Sequence, residues 1–222
     1  MLRTEDLTIR FGGHVAVNGV SCAFEPGTLT AIVGPNGAGK TTYFNLISGQ
    51  LKATAGRVLL GGRELTGLAP SARTRAGLGR AFQLTNLFPH LSVLENVRLA
   101  VQARDEAVAA LPHGDQRKLE VALLMALEPQ VYMFDEPTAG MSHDEAPVIL
   151  DLIRKLKQDR SKIILLVEHK MDVVRELADR IIVLTNGTLV ADGPPAEVIA
   201  SPVVQQAYLG VVPEQGAVKE AA

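Results

Sequence analysis

The chain has 222 residues, 47% of them hydrophobic and 21% charged, which suits one ordinary domain with a packed core and excludes intrinsic disorder. Its net charge of −2 points to no nucleic-acid partner, and a single cysteine, Cys22, excludes an internal disulfide and suits a reducing compartment. Apolar runs such as Ile163–Val167 are far too short to span a bilayer and no leader precedes Met1 to Glu5, so the expectation is a soluble or peripheral protein whose membrane-spanning helices, if it uses any, belong to another subunit.

Leu7 to Phe11 partly alternates and reads as a strand, Gly12-Gly13 as a turn, and Val15 to Phe24 as a second strand containing Cys22 as a small buried residue. Pro26-Gly27 turns the chain into Leu29 to Val33, a buried strand. Gly34-Pro35-Asn36-Gly37-Ala38-Gly39-Lys40-Thr41-Thr42 follows and fits G-x-x-x-x-G-K-[ST]. Its glycines let backbone N–H groups turn toward phosphate oxygens. Lys40 can place a point charge on the β- and γ-phosphates, and the Thr41 hydroxyl can ligate Mg²⁺. A helix from near Gly39, running through Thr42 to Ile47 and closed by Ser48-Gly49, would aim its positive end at the same anion.

Gly56 to Leu60 is a short strand ending in Gly61-Gly62, and Pro70 to Ala76 a short helix whose Arg73 and Arg75 read as a solvated face. Gly79-Arg80-Ala81-Phe82 is a further strand leading to Gln83. Ser92 to Ala110 is helical in pattern, with Ser92 and Glu95 spaced as a capping box, and Gln116 to Leu127 is a second helix after the break at Pro112-His113-Gly114-Asp115. Val131 to Phe134 is an apolar strand, Asp144 to Lys157 an amphipathic helix, Ile163 to Val167 another buried strand, and Val173 to Ala178 a helix. Asn186-Gly187 marks a hairpin between Ile181 to Leu184 and Thr188 to Val190, and the tail after Gly210 is expected to fray.

Strands alternating with helices imply a parallel sheet covered on both faces, with ligands at the carboxyl ends of its strands. Three buried runs end in reactive chemistry: Val33 enters the phosphate loop, Phe134 enters Asp135-Glu136, and Val167 enters Glu168-His169. Asp135 suits a second Mg²⁺ partner acting through water, and Glu136 can polarise a water aimed at the γ-phosphate. His169 can donate to that phosphate, Gln83 can touch Mg²⁺ or the attacking water, and Phe11 can stack on adenine.

Taken together, these residues resemble the nucleotide-binding subunit of ATP-binding-cassette transporters, in the family's order and over essentially the whole chain. Gly34 to Thr42 resembles its Walker A motif and Val131 to Asp135 its Walker B, with Glu136 in the place of the catalytic carboxylate. Gln83 matches the Q-loop, Phe11 the adenine-stacking A-loop and His169 the switch histidine. Leu111-Pro112-His113-Gly114-Asp115 lies where the signature belongs, but Pro112 replaces the signature serine, His113 a glycine and Asp115 a glutamine. Ser142 stands where many relatives carry the D-loop aspartate. Gly114 to Glu120, Phe11-Gly12-Gly13 and Pro137 to Met141 are similar to the branched-chain amino acid importer subfamily.

The resemblance implies an α/β fold: a P-loop NTPase core with a mixed sheet flanked by helices, an N-terminal antiparallel β subdomain and a short helical subdomain. Residues 1–84 and 128–210 would form the core, 85–127 the helical subdomain with the signature, and 211–222 a tail. That subdomain is shorter than usual, either naturally or through loss of residues. The family's activity is hydrolysis of ATP with Mg²⁺, held by Thr41, Gln83 and Asp135. The implied role is to power a membrane transporter, foremost an importer of branched-chain amino acids or similar small polar solutes. Lipid or lipopolysaccharide export, urea or amide uptake, and a soluble non-transport ATPase are the alternatives. The implied partners are a second ATP-binding subunit, as homodimer or heterodimer, separate permease subunits, and a solute-binding protein if it imports. The place implied is the cytoplasmic face of the membrane.

Overall fold

The computed structural model describes residues 1–81, 121, 123–125, 127–141 and 146–209. Strands β1 (Leu2–Phe11), β2 (His14–Phe24), β4 (Ala55–Leu60) and β5 (Arg63–Glu64) make an antiparallel sheet in the order β2-β1-β4-β5. A six-stranded sheet has the order β10-β9-β3-β8-β7-β6. It comprises β3 (Thr28–Val33), β6 (Leu78–Ala81), β7 (Val131–Asp135), β8 (Ile163–Val167), β9 (Arg180–Thr185) and β10 (Thr188–Gly193). Its neighbours pair in parallel except β10, which returns antiparallel to β9, so the sheet is mixed. The helices among the described residues are α1 (Lys40–Ser48), α2 (Pro70–Arg75), α3 (Ala146–Lys157), α4 (Met171–Leu177), α5 (Pro195–Ala200) and α6 (Pro202–Leu209). The central strands β3, β7, β8 and β9 read as near-continuous apolar runs because both faces of the sheet are buried there.

The two-residue period of a strand decides what each face carries. Ile32, Val131, Met133, Leu165, Val167 and Ile182 pack with Phe44, Leu46 and Ile47 of α1 and with Leu7, Val17 and Val58 of the antiparallel sheet. Ala31, Val33, Phe134, Leu166 and Val183 point the other way, toward Ile149 and Ile153 of α3 and Val174 of α4. The same period carries Arg80 and Asp135 to the α1 face, because they follow Leu78 and Met133 by two residues.

Where the described residues reach, the expected elements are present, though β1 begins at Leu2 rather than the expected Leu7, and Val121 and Leu123 to Met125 are helical within the expected 116–127 helix. Asn186 and Gly187 both take positive φ, 49° and 75°, as a two-residue turn matching strand twist requires. Helices α5 and α6 had no counterpart in the sequence reading. Each is short and opens with a proline, which marks a first turn but gives no long apolar period. The 92–110 helix, Ser142 and the tail lie outside the described residues.

One expectation is corrected. Arg75 is exposed, but Arg73 is only 2% exposed and is no part of a solvated face. Its Nη1 donates to the carbonyls of Leu46 and Ile47, both at 2.7 Å, its Nη2 to Thr66 at 2.7 Å and its Nε to Leu68 at 3.1 Å. Burial pushes its pKa down, yet four acceptors compensate the guanidinium for lost water. The acceptors at Leu46 and Ile47 lie 27 and 26 residues earlier in the chain, so spacing within a six-residue helix could not reveal them.

Candidate functional site

The phosphate loop leaves β3 at Val33 and enters α1 through Gly39, whose φ of 95° belongs to the left-handed region. A Cβ at Gly39 would sit 2.5 Å from the Ala16 carbonyl, so glycine answers both conformation and space here. The first turn of α1 has no side-chain cap and no acidic residue among the described residues. Its N–H groups and the positive end of the helix are thereby left for an anion. Lys40 is 6% exposed, and its Nζ donates to the carbonyls of Gly34 at 2.7 Å and Pro35 at 2.9 Å. Burial lowers its pKa, while the charges of Glu136 and Asp135 act to raise it. The loop is braced from behind: Gly187 N–H donates to the Ala38 carbonyl at 3.0 Å, and Asn18 N–H to the Gly187 carbonyl at 2.8 Å.

The central position of β8 brings the other chemistry to the same edge. Val167 pairs with Ile32 on one side and with Asp135 on the other. Glu136 N–H donates to the Val167 carbonyl at 2.9 Å, and Glu136 holds a φ of 48°, which side chains rarely adopt. Its Oε1 lies 2.6 Å from His169 Nε2. A carboxylate with an imidazole that orients it is the pairing expected of a base and its positioner. His169 is held in turn by Glu168, 3% exposed, whose Oε1 accepts the N–H groups of His169 at 2.9 Å and Lys170 at 3.1 Å. Thr138 Oγ1 donates to the other oxygen of Glu168 at 3.3 Å, which ties the segment after Glu136 to the segment around His169.

A cavity of about 420 Å³ joins these parts, lined by Asn36 to Thr42, Glu136, His169, His14 and Ala16. Asp135 lies beneath it, 1% exposed and paired to Arg80 at 2.8 Å. Phe11, 50% exposed, pairs across the hairpin with His14 but does not itself line the cavity among the described residues. Gln83, Leu111, Pro112, His113, Gly114 and Asp115 lie outside the described residues. His14 lines the same cavity, a role that no motif in the sequence assigns to it. Its signal was the two-residue Gly12-Gly13 turn, which sets His14 opposite Phe11 and on the same face of the ribbon. Arg80 and Glu168 gave no local signal of their role.

Among the described residues no three His, Cys, Asp or Glu side chains cluster as a metal site. Mg²⁺ does not require one, since it takes a few hard oxygens and completes its shell with phosphates and water. The Thr41 hydroxyl and the Asp135 carboxylate fit that donor set. Arg80 offsets the burial of Asp135, whose charge also reaches Lys40.

A family model described as ABC transporter matches residues 17–139, and one described as branched-chain amino acid ATP-binding cassette transporter matches residues 188–213. The high-affinity branched-chain amino acid transport ATP-binding protein LivG of Escherichia coli (strain K12) is 35% identical over 95% of this chain and 98% of its own. That alignment spans 249 positions, more than the 222 residues here, so the relative carries residues that this chain lacks. A nucleotide-free ATP-binding cassette from an ABC transporter superposes with a TM-score of 0.84 at 27% identity, covering 95% of this chain and 99% of the other. A dimeric post-hydrolysis cassette bound to ADP and Pi superposes with a TM-score of 0.77 at 25% identity, covering 88% and 99%.

Proposed function

The chain belongs to the ABC transporter family as an ATP-hydrolysing subunit, and on that premise we propose that it powers import of branched-chain amino acids or similar small polar solutes through separate membrane-spanning subunits. The observation that carries the chemistry is the convergence of the phosphate loop, Glu136 and His169 on one cavity. The solute rests on the match at residues 188–213 and on the transport proteins that this chain resembles, which do not favour the alternatives of export or soluble work.

ATP enters with its phosphates against the N–H groups of Gly37 to Thr42 and the Lys40 ammonium, which leaves the Gly34 and Pro35 carbonyls for the phosphate oxygens. Phe11 stacks on the base, beside His14 and Ala16. Bound Mg²⁺ would supply neutralisation of phosphate charge. Thr41, Asp135 and Gln83 are the residues that would hold it. Glu136 orients the attacking water, and His169 positions that carboxylate and donates toward the γ-phosphate. Such catalysis comes from positioning and charge stabilisation rather than from covalent chemistry on the protein.

The site is half of a composite. A second subunit would close over the γ-phosphate with Leu111 to Asp115 of the partner subunit, where the backbone N–H of Gly114 would stand in for the absent serine hydroxyl. The dimeric ADP-bound cassette supports this arrangement. No helix among the described residues is long and apolar enough to cross a membrane. The proposed import would place the subunit at the cytoplasmic face, held by its permeases and served by a solute-binding protein.

Glu136→Gln tests the chemistry. It should lower kcat by about 10²–10⁴-fold while ATP still binds and a dimer accumulates on a sizing column. Turnover near the wild-type rate would remove Glu136 from its role. Uptake of labelled leucine in cells carrying Lys40→Ala tests the solute. Undiminished uptake would refute the solute assignment and leave the ATPase intact.

A further inference from the structure

Arg80 sits on β6, three residues before Gln83 in sequence, and its side chain contacts both β7 and α1. Its Nη2 donates to Asp135 Oδ2 at 2.8 Å. Its Nη1 donates to Asn45 Oδ1 at 2.6 Å and to Ser48 Oγ at 2.8 Å, both on α1. The guanidinium lies 5.2 Å from the centre of the Phe44 ring, again on α1. The side chains of Arg80 and Asp135 are 7% and 1% exposed. A guanidinium is planar, permanently charged and forked, so one group can pair with a carboxylate, bridge to two other acceptors and pack on an aromatic face together. An ammonium cannot do all of this from one point.

We propose that Arg80 is a positioning residue that holds the Asp135 carboxylate in register with helix α1, and so sets how tightly the site takes a divalent cation together with nucleotide. The proposal rests on the Mg²⁺-ATP reading above. The phosphate loop and Thr41 stand at the start of α1, and Asp135 stands at the end of β7. Among the described residues, the contacts of Arg80 join the end of β7 that carries Asp135 to the helix whose start carries Thr41. Partners that orient a ligating carboxylate act on metal affinity rather than on the anion site.

The test uses the purified full chain, Mn²⁺ as a paramagnetic probe and a non-hydrolysable ATP analogue. Arg80→Lys keeps the charge and loses the fork. It should weaken Mn²⁺ binding in the presence of the analogue by about 10–100-fold. Analogue affinity in excess chelator should stay within about twofold of wild type, because the anion site is untouched. Asn45→Ala removes one anchor and keeps the Arg80–Asp135 pair, so it should shift Mn²⁺ affinity the same way by less. It also serves if Arg80→Lys fails to fold. Wild-type Mn²⁺ affinity in folded Arg80→Lys or Asn45→Ala would overturn the proposal. So would equal losses with and without metal, which indicate a merely structural role. Failure of the wild type itself to bind Mn²⁺ with the analogue would instead refute the Mg²⁺-ATP reading.

Discussion

At its N-terminal end, α1 carries no side-chain cap, and its first turn faces a cavity shared with Glu136 and His169. At its C-terminal end, the carbonyls of Leu46 and Ile47 are taken by the buried guanidinium of Arg73. Both ends of a helix leave backbone groups unsatisfied, and both carry partial charge. On the proposed reading, the first end takes an anion that comes and goes. The second is closed by a cation built into the fold. On that reading the difference separates function from stability within nine residues. Lys40 and the open turn would serve binding, whereas Arg73 closes the helix, and both use charge of the same sign.

Three substitutions test that separation. Lys40→Ala should cost about 2–5 kcal/mol of ATP binding by titration, the range for losing a charged partner from a desolvated contact. It should leave denaturant stability within about 1 kcal/mol, because Nζ only returns to two carbonyls of its own loop. Arg73→Ala should do the reverse. With four carbonyls losing their donor, about 3 kcal/mol of stability should go, lowering Tm by roughly 6–12 °C for a chain of this size. ATP affinity per folded molecule should not change. A Lys40→Ala protein that melted as early as Arg73→Ala would erase the contrast. Gly49→Ala should cost about 1–2 kcal/mol, since Gly49 caps α1 at a φ of 83° that suits glycine. A Cβ there would also lie 2.7 Å from Arg73 Nε. If Gly49→Ala costs nothing in the Arg73→Ala background, the strain comes from that contact and not from the backbone.

Local rules made much of this molecule readable before any coordinates. Strands β3, β7 and β8 announce themselves as short apolar runs, and the Asn186-Gly187 turn by its two residues. The phosphate loop is legible because its glycines, lysine and threonine are consecutive. Glu136 and His169 could be singled out because each follows a buried run, and the sheet does bring them within 2.6 Å. Arg73 gives no local sign of burial because two of its four acceptors lie on another helix, α1. Arg80 was read only as part of a strand, although Asp135 is 55 residues away in sequence and adjacent in space. His14 was overlooked beside the more conspicuous Phe11.

Local residue order specifies most of the strands and helices and the glycine-lysine-threonine loop after β3, because each depends on residues within a few positions of one another, while α5 and α6 carry no such signal. Which charges are buried, and whom they serve, depends on long-range packing. The parallel register of β6, β7 and β8, together with α1 laid across them, gives Arg80 to Asp135 and Arg73 to the end of α1. A cation's role is set by the acceptors around it and by the loss of water, and neither is written in its own stretch of chain.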